Sequence, residues 1–198
     1  MRKNIVLILG CLGLVLFSTS AYSADGWYAG GNIGLAIASD ADISEGSDTL
    51  TIEYNPGFAI GAAVGYAVSN WRIEGEIDWQ KNDMDRVKMG GESASLDGDT
   101  SNLAFLVNGY YDFATNSAFT PFVGIGIGFA KIDVDVEGES DDDTVFAGQG
   151  SVGVAYAINE TISLDLKYRY LRTADPDFSG TKGEFGSHNI LFGARFSF

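Results

Sequence analysis

The feature that most constrains this chain is a period-two alternation that recurs segment after segment, with no sustained 3.6-residue stripe to compete with it. Trp71, Ile73, Ile77 and Trp79 share one parity; Arg72, Glu74, Glu76, Asp78 and Gln80 share the other. Phe58, Ile60, Val64, Tyr66 and Val68 alternate with Ala59, Gly61, Ala63, Gly65 and Ala67, and Val123, Ile125, Ile127 and Phe129 alternate with Gly124, Gly126, Gly128 and Ala130. Successive side chains of a strand point to opposite faces, so each segment reads as a strand with one apolar face. The pattern predicts eight strands, near 27–38, 58–68, 71–81, 102–113, 119–132, 147–158, 161–172 and 187–198.

The connections sharpen the reading, because they alternate in length. Short turns fall at Ser69-Asn70, 114–118 and Asn159-Glu160, and long polar segments at 39–57, 82–101, 133–146 and 173–186. An even strand count with short turns at one end and long loops at the other is the layout of a transmembrane β-barrel. Alternation alone also suits a soluble sandwich or barrel, so the second face decides. In the second and fifth strands that face is mostly Gly and Ala, a poor exterior for water but a good lining for a narrow lumen shared with long charged side chains. Aromatics recur near strand ends, at Trp27, Trp71, Trp79, Tyr111, Phe113, Tyr156, Tyr168 and Tyr170, where a membrane interface favours them. A sheet in hydrocarbon must also close, since unpaired edge groups would find no partner there. The fold class expected is therefore all-β: a closed antiparallel eight-stranded transmembrane β-barrel, with the first strand pairing with the last.

The chain opens with Arg2 and Lys3, an apolar run from Ile5 to Phe17, and a small-residue stretch, the layout of a secretory signal peptide. The run is shorter than the roughly 20 residues a membrane-crossing helix needs. Cleavage after Ser23 puts Ala21 and Ser23 at the small-residue positions, so the expected domains are 1–23, a removed signal peptide, and 24–198, the barrel. The sole cysteine, Cys11, falls in the removed part, in a faint likeness to a lipoprotein site that the continuing apolar run argues against. Disulfide and thiolate chemistry are thereby excluded from the mature chain. Removal takes 2 of the 12 Lys and Arg and none of the 27 Asp and Glu, moving the formal charge from −15 to −17. Nucleic acid is an unsuitable partner for such a surface.

Three stretches carry a resemblance: Gly26-Trp27-Tyr28-Ala29-Gly30-Gly31-Asn32-Ile33-Gly34, Pro121-Phe122-Val123-Gly124-Ile125-Gly126-Ile127-Gly128, and the last strand. They look like the eight-stranded outer-membrane β-barrel family of Gram-negative bacteria that includes OmpA-like transmembrane domains and opacity-type surface antigens. The resemblance implies a bacterial outer-membrane location, with outer-membrane lipid and lipopolysaccharide, the barrel-assembly machinery and a host or surface ligand as partners. No catalytic residue and no cofactor is expected. Gly193, Phe196 and Phe198 are similar to the C-terminal signal that the assembly machinery reads. The peptidoglycan-binding domain that OmpA-like proteins often add is not expected here.

His188 is the only histidine, and the residue two beyond it is Ile190, where a lipid A deacylase would be expected to place serine. Ser187 is adjacent and points to the opposite face. Arg72, Glu74, Glu76, Asp78, Asp165, Lys167, Arg169 and Arg195 fall on one side of their strands and read as an interior charge network that fills a narrow lumen. Gly124, Gly126 and Gly128 lack the spacing of a phosphate loop, and their expected role is to provide space. Asp133, Asp135, Glu137, Glu139 and Asp141 match part of a calcium-loop spacing, but Thr144 stands where the bidentate Glu belongs. Loosely bound calcium or magnesium at the acidic loops is the extent of the metal expectation. Asn159-Glu160-Thr161 matches a glycosylation sequon by chance. The function expected is a non-enzymatic surface protein with a structural, adhesion or antigen role carried by four acidic extracellular loops. The alternatives are a small passive channel and a lipid-modifying enzyme.

Overall fold

The computed structural model describes residues 25–39, 41–45, 48–89, 92–95, 98–136, 139–174, 177–178, 181–182 and 186–198. The signal peptide expected over 1–23 lies outside the described residues. Eight strands build the barrel: β1 (Gly26–Ala38), β2 (Gly57–Val68), β3 (Trp71–Met89), β4 (Gly98–Asp112), β5 (Phe119–Val136), β6 (Glu139–Ala157), β7 (Ile162–Thr173) and β8 (Gly186–Ser197). Each pairs antiparallel with its neighbours in sequence. The ring closes where β1 pairs with β8, from Tyr28 opposite Ser197 to Ala38 opposite Ser187. No described helix is long and apolar enough to cross a membrane; the crossing elements are strands.

Alternation translates directly into faces. Ile33, Ile60, Ile73, Ile125, Ile127, Leu166 and Phe192 all point outward, Ile125 at 77% exposure. An apolar surface of that extent is untenable in water and is what a bilayer requires. Aromatic pairs frame it in two tiers. At the short-turn end Trp27 meets Tyr66, Trp71 meets Tyr111, and Phe119 meets Tyr156, with centroids 4.9 to 5.4 Å apart. At the other end Phe58 meets Trp79 at 5.2 Å and Phe129 meets Phe146 at 6.0 Å. From Trp71 to Trp79 along β3 is roughly 26 Å at about 3.3 Å per residue, or about 20 Å of membrane height at a tilt near 40°.

The short turns are closely tied. Ser69 takes a left-handed φ of 54° in the two-residue hairpin between β2 and β3, and its N–H donates to Asp25 at 2.6 Å. Asn159 Oδ1 accepts from the N–H groups of Thr161 and Ile162 at 2.9 and 2.8 Å, so this side chain serves the turn.

The long segments depart from expectation. Most of 133–146, read from sequence as a loop, is a continued ladder running up to Val136 opposite Glu139. Within 39–57, Ala41–Glu45 pairs with Asp48–Tyr54, which in turn pairs with the extension of β3 to Met89. Within 82–101, Glu92–Ser95 also pairs with β3, and within 173–186, Asp177–Phe178 pairs with Thr181–Lys182. The physical reason is a change of face: up to Phe129 the apolar residues of β5 point outward, whereas beyond it Ile132 is buried on the lumen side and Asp133 and Asp135 take the outward parity. The acids on the outer parity make the stretch read as a polar loop although its backbone pairing continues.

Candidate functional site

Two regions carry chemistry, the lumen and the outward rim at the long-connection end. All eight residues of the expected charge network face the lumen. Arg72 is held in a bidentate pair by Asp112 of β4, both contacts 2.8 Å, and its guanidinium lies 4.5 Å from the Tyr110 ring and 5.1 Å from Phe122. Arg195 forms a second bidentate pair with Asp165 at 2.7 and 3.0 Å. Midway along the barrel Glu76 collects four donors: Asn108 at 2.7 Å, Gln149 at 3.1 Å, and Lys167 and Arg169 at 3.4 Å each. Arg169 is fully buried and reaches Asp78 at 2.6 Å.

Glu74 differs from the other members. Its donors are the Tyr28 hydroxyl at 2.9 Å, the Tyr110 hydroxyl at 3.4 Å and the Asn108 amide at 3.5 Å, all neutral. Sequence reasoning missed Tyr28, Asn108, Tyr110, Asp112 and Gln149. The signal was present: Asn108, Tyr110 and Asp112 occupy alternate positions of β4, in phase with one another.

The glycines of β5 do more than provide space. Tyr110 lies directly across from Gly124 and Asn108 across from Gly126. A Cβ on Gly124 would sit 2.3 Å from the Tyr110 ring, and one on Gly126 would sit 1.9 Å from the Asn108 amide oxygen. Tyr28 over Gly65 and Phe122 over Gly153 repeat the arrangement on neighbouring strands. Rings and amides therefore lie flat across the glycine of the next strand, which lets a narrow lumen hold large side chains.

A cavity of about 40 Å³, bordered by Asn32, Glu74, Asp165, Lys167 and Arg195, has room for a few waters. Toward the long-connection end the filling is uncharged: Gln80 bonds Ser187 at 3.2 Å and Asn82 donates to the Ala36 carbonyl at 2.8 Å. There Thr100 Oγ1 and both side-chain polar atoms of Asn102 are buried without a protein partner.

On the rim beyond the aromatic tier, Lys81 pairs with Asp99 at 2.9 Å, and Lys131 with Asp133 at 2.7 Å and Asp142 at 3.4 Å. Hydrogen bonding to Asp99 and to Asp133 holds the two ammonium groups above their ordinary pKa. The acidic calcium-like spacing does not form a loop. Asp133 and Asp135 lie on β5, facing Asp142 and Ser140 of β6, so the run is divided between two strands where a calcium loop would wrap it around one ion. Glu137 lies outside the described residues, and among those described no group of three acids, histidines or cysteines could hold a metal.

His188 points outward at the same level. Its Nδ1 and the Tyr168 hydroxyl are 2.7 Å apart, and the Tyr170 ring centroid lies 4.8 Å from the imidazole. Ser187 is buried on the lumen side, bonded to Gln80, and no hydroxyl or carboxylate pair of the deacylase type adjoins His188 among the described residues. Of the expected assembly signal, Phe196 and Phe198 face outward while Gly193 faces the lumen and borders the cavity.

Comparison with known proteins adds the family context. The model of the outer membrane protein beta-barrel domain matches residues 9–198. The chain is similar to outer membrane protein PagN of Salmonella typhimurium, 26% identical over 197 residues, covering 84% of this chain and 82% of that one. Among solved structures it is similar to the outer membrane protein OprG from Pseudomonas aeruginosa, with a TM-score of 0.63 at 19% identity, covering 90% of this chain and 99% of that one. Neisserial surface protein A superposes with a TM-score of 0.59 at 21% identity, covering 87% of this chain and 97% of that one.

Proposed function

The chain belongs to the outer membrane protein β-barrel family, and from that premise we propose that it acts without catalysis, as a structural and recognition protein of the bacterial surface. The barrel is the anchor and the acidic extensions of its long-connection end are the recognising part. The observation that carries this reading is the filled lumen: Arg72, Glu76, Asp78, Asp112, Asp165, Lys167, Arg169 and Arg195 are locked in mutual ion pairs across it. A barrel closed in this way has no solute to pass and presents its chemistry outside. Asp83, Asp135, Asp141 and Asp142 are exposed at the long-connection end, which suits a partner carrying positive charge or reached through divalent cations.

A small passive channel is the second reading, favoured by the unpartnered buried polar atoms of Thr100 and Asn102. Planar-bilayer recording separates the two. The first expects no resolvable unitary conductance, and steady openings would replace it with the second. Lipid A from cells with and without the gene should be chemically identical, and a missing or added acyl chain would reinstate the enzymatic alternative. A deletion strain that loses adhesion while keeping envelope integrity would assign recognition; leakage and osmotic sensitivity would assign envelope support.

A further inference from the structure

The charges in the crossing part of the lumen do not balance. Among the described residues five carboxylates face it, on Glu74, Glu76, Asp78, Asp112 and Asp165, against four cations, Arg72, Lys167, Arg169 and Arg195. Each cation is answered by an acid other than Glu74: Arg72 by Asp112, Arg195 by Asp165, Lys167 by Glu76, and Arg169 by Glu76 and Asp78. Glu74 is the acid left over. It is 7% exposed, and its donors, Tyr28, Tyr110 and Asn108, are all neutral. Such bonds solvate a carboxylate without cancelling its charge, and a lone charge held away from water is costly.

Beside Glu74 lies the cavity of about 40 Å³. A second oxygen borders it, found independently of the charge count. Asn32 gives its amide nitrogen to Glu76 at 3.4 Å, and its Oδ1 is buried without a partner. An acid with no cation and an amide oxygen with no donor, on one cavity, suit a hard positive ion, which takes oxygen ligands. One surplus negative charge calls for one positive charge, since a divalent ion would leave the lumen positive. Room for a few waters is room for a single small ion that keeps part of its hydration. We propose that the cavity binds one monovalent alkali cation on the Glu74 carboxylate and Asn32 Oδ1, completing the charge balance of the plug. The Arg72–Asp112 pair stands on its short-turn side and the Arg169–Asp78 pair on the other, so the ion is captured as the barrel folds and is not passed through.

An ion captured on folding stabilises the folded state by mass action. The measurement is urea unfolding from phosphatidylcholine vesicles at one pH and one ionic strength, in sodium chloride and in the chloride of N-methylglucamine, a cation too large for the cavity. For a site half filled near about 10 mM, about 100 mM Na⁺ should raise the folding equilibrium constant about tenfold. Glu74→Gln keeps a side chain of similar size and removes the charge, so its unfolding should not distinguish the two salts. Asp135→Asn, on the exposed rim, should keep the parent's preference, which separates the cavity from Na⁺ gathered by the acidic extensions. Indifference of the parent to the salt overturns the proposal. So does a preference for Na⁺ that survives in Glu74→Gln or is lost in Asp135→Asn. If Glu74→Gln does not fold, Asn32→Ala is read in its place, and a preference as large as the parent's overturns the proposal equally.

Discussion

At the scale of single residues, the lumen makes the two partners of an ion pair unequal to an apolar replacement of both. Arg169→Leu leaves Asp78 and Glu76 buried without their guanidinium and should cost about 3–5 kcal/mol, whereas Arg169→Leu combined with Asp78→Leu should recover part of the loss. Urea unfolding from vesicles measures both, and a double variant worse than the sum of its parts would contradict this view of the network. Ile125→Arg, at the most exposed apolar position of β5, should cost about 2–4 kcal/mol for a cation facing lipid. Gly126→Ser would be mild if Gly126 merely gave space. Its Cβ would instead displace Asn108 from Glu76 and Gln149, so it should cost about 1–3 kcal/mol. Gly109→Ala, on the open outward face, should be neutral or slightly stabilising by the same measurement. Parity made the faces legible in the sequence, since alternation alone separates Ile125 from Gly126. It could not reveal that Asn108 lies on Gly126, because which residues oppose each other depends on register across strands 18 positions apart.

At the scale of elements, the β5–β6 hairpin rises beyond the membrane on backbone pairing, from Lys131 opposite Thr144 to Val136 opposite Glu139. An extension built this way has no need of a bound ion to hold its shape. Hydrogen exchange at the amides of residues 131–136 and 139–144 should therefore be equally slow in calcium and in chelator. Protection that collapses on chelation would restore the metal reading of Asp133, Asp135 and Asp141. The eight crossing segments were readable within a few residues because hydrocarbon enforces an apolar face on every one. The pairings of Ala41–Glu45, Asp48–Tyr54 and Glu92–Ser95 were not: Leu50, Ile52 and Tyr54 do alternate with Thr51 and Glu53, but the run is short and set among acids, and its pairing with β3 depends on register with a distant segment.

At the scale of the whole molecule, short turns at one end and paired extensions at the other define which way the barrel stands. A tag inserted at the tip between Val136 and Glu139 should be reached by antibody on intact cells. One inserted between Asn159 and Glu160, where Asn159 ties the turn, should be hidden until the outer membrane is opened. Exposure of the second tag would invert the orientation. A closed ring should also migrate differently on gels before and after boiling, and identical mobility would argue against closure.

The seam between β1 and β8 has a consequence in time. Tyr28 and Ser197 are neighbours across it, yet they are made at opposite ends of synthesis, about 10–30 s apart at ordinary elongation rates. Until β8 exists, β1 has one unsatisfied edge, and an open edge cannot rest in hydrocarbon. A partly made chain therefore cannot span the bilayer by itself: until β8 is made, the free edge of β1 has to stay in water or be paired by a strand of another protein. The seam is thus the last pairing the barrel can make, and a chain cut short before β8 keeps an edge that lipid alone cannot satisfy.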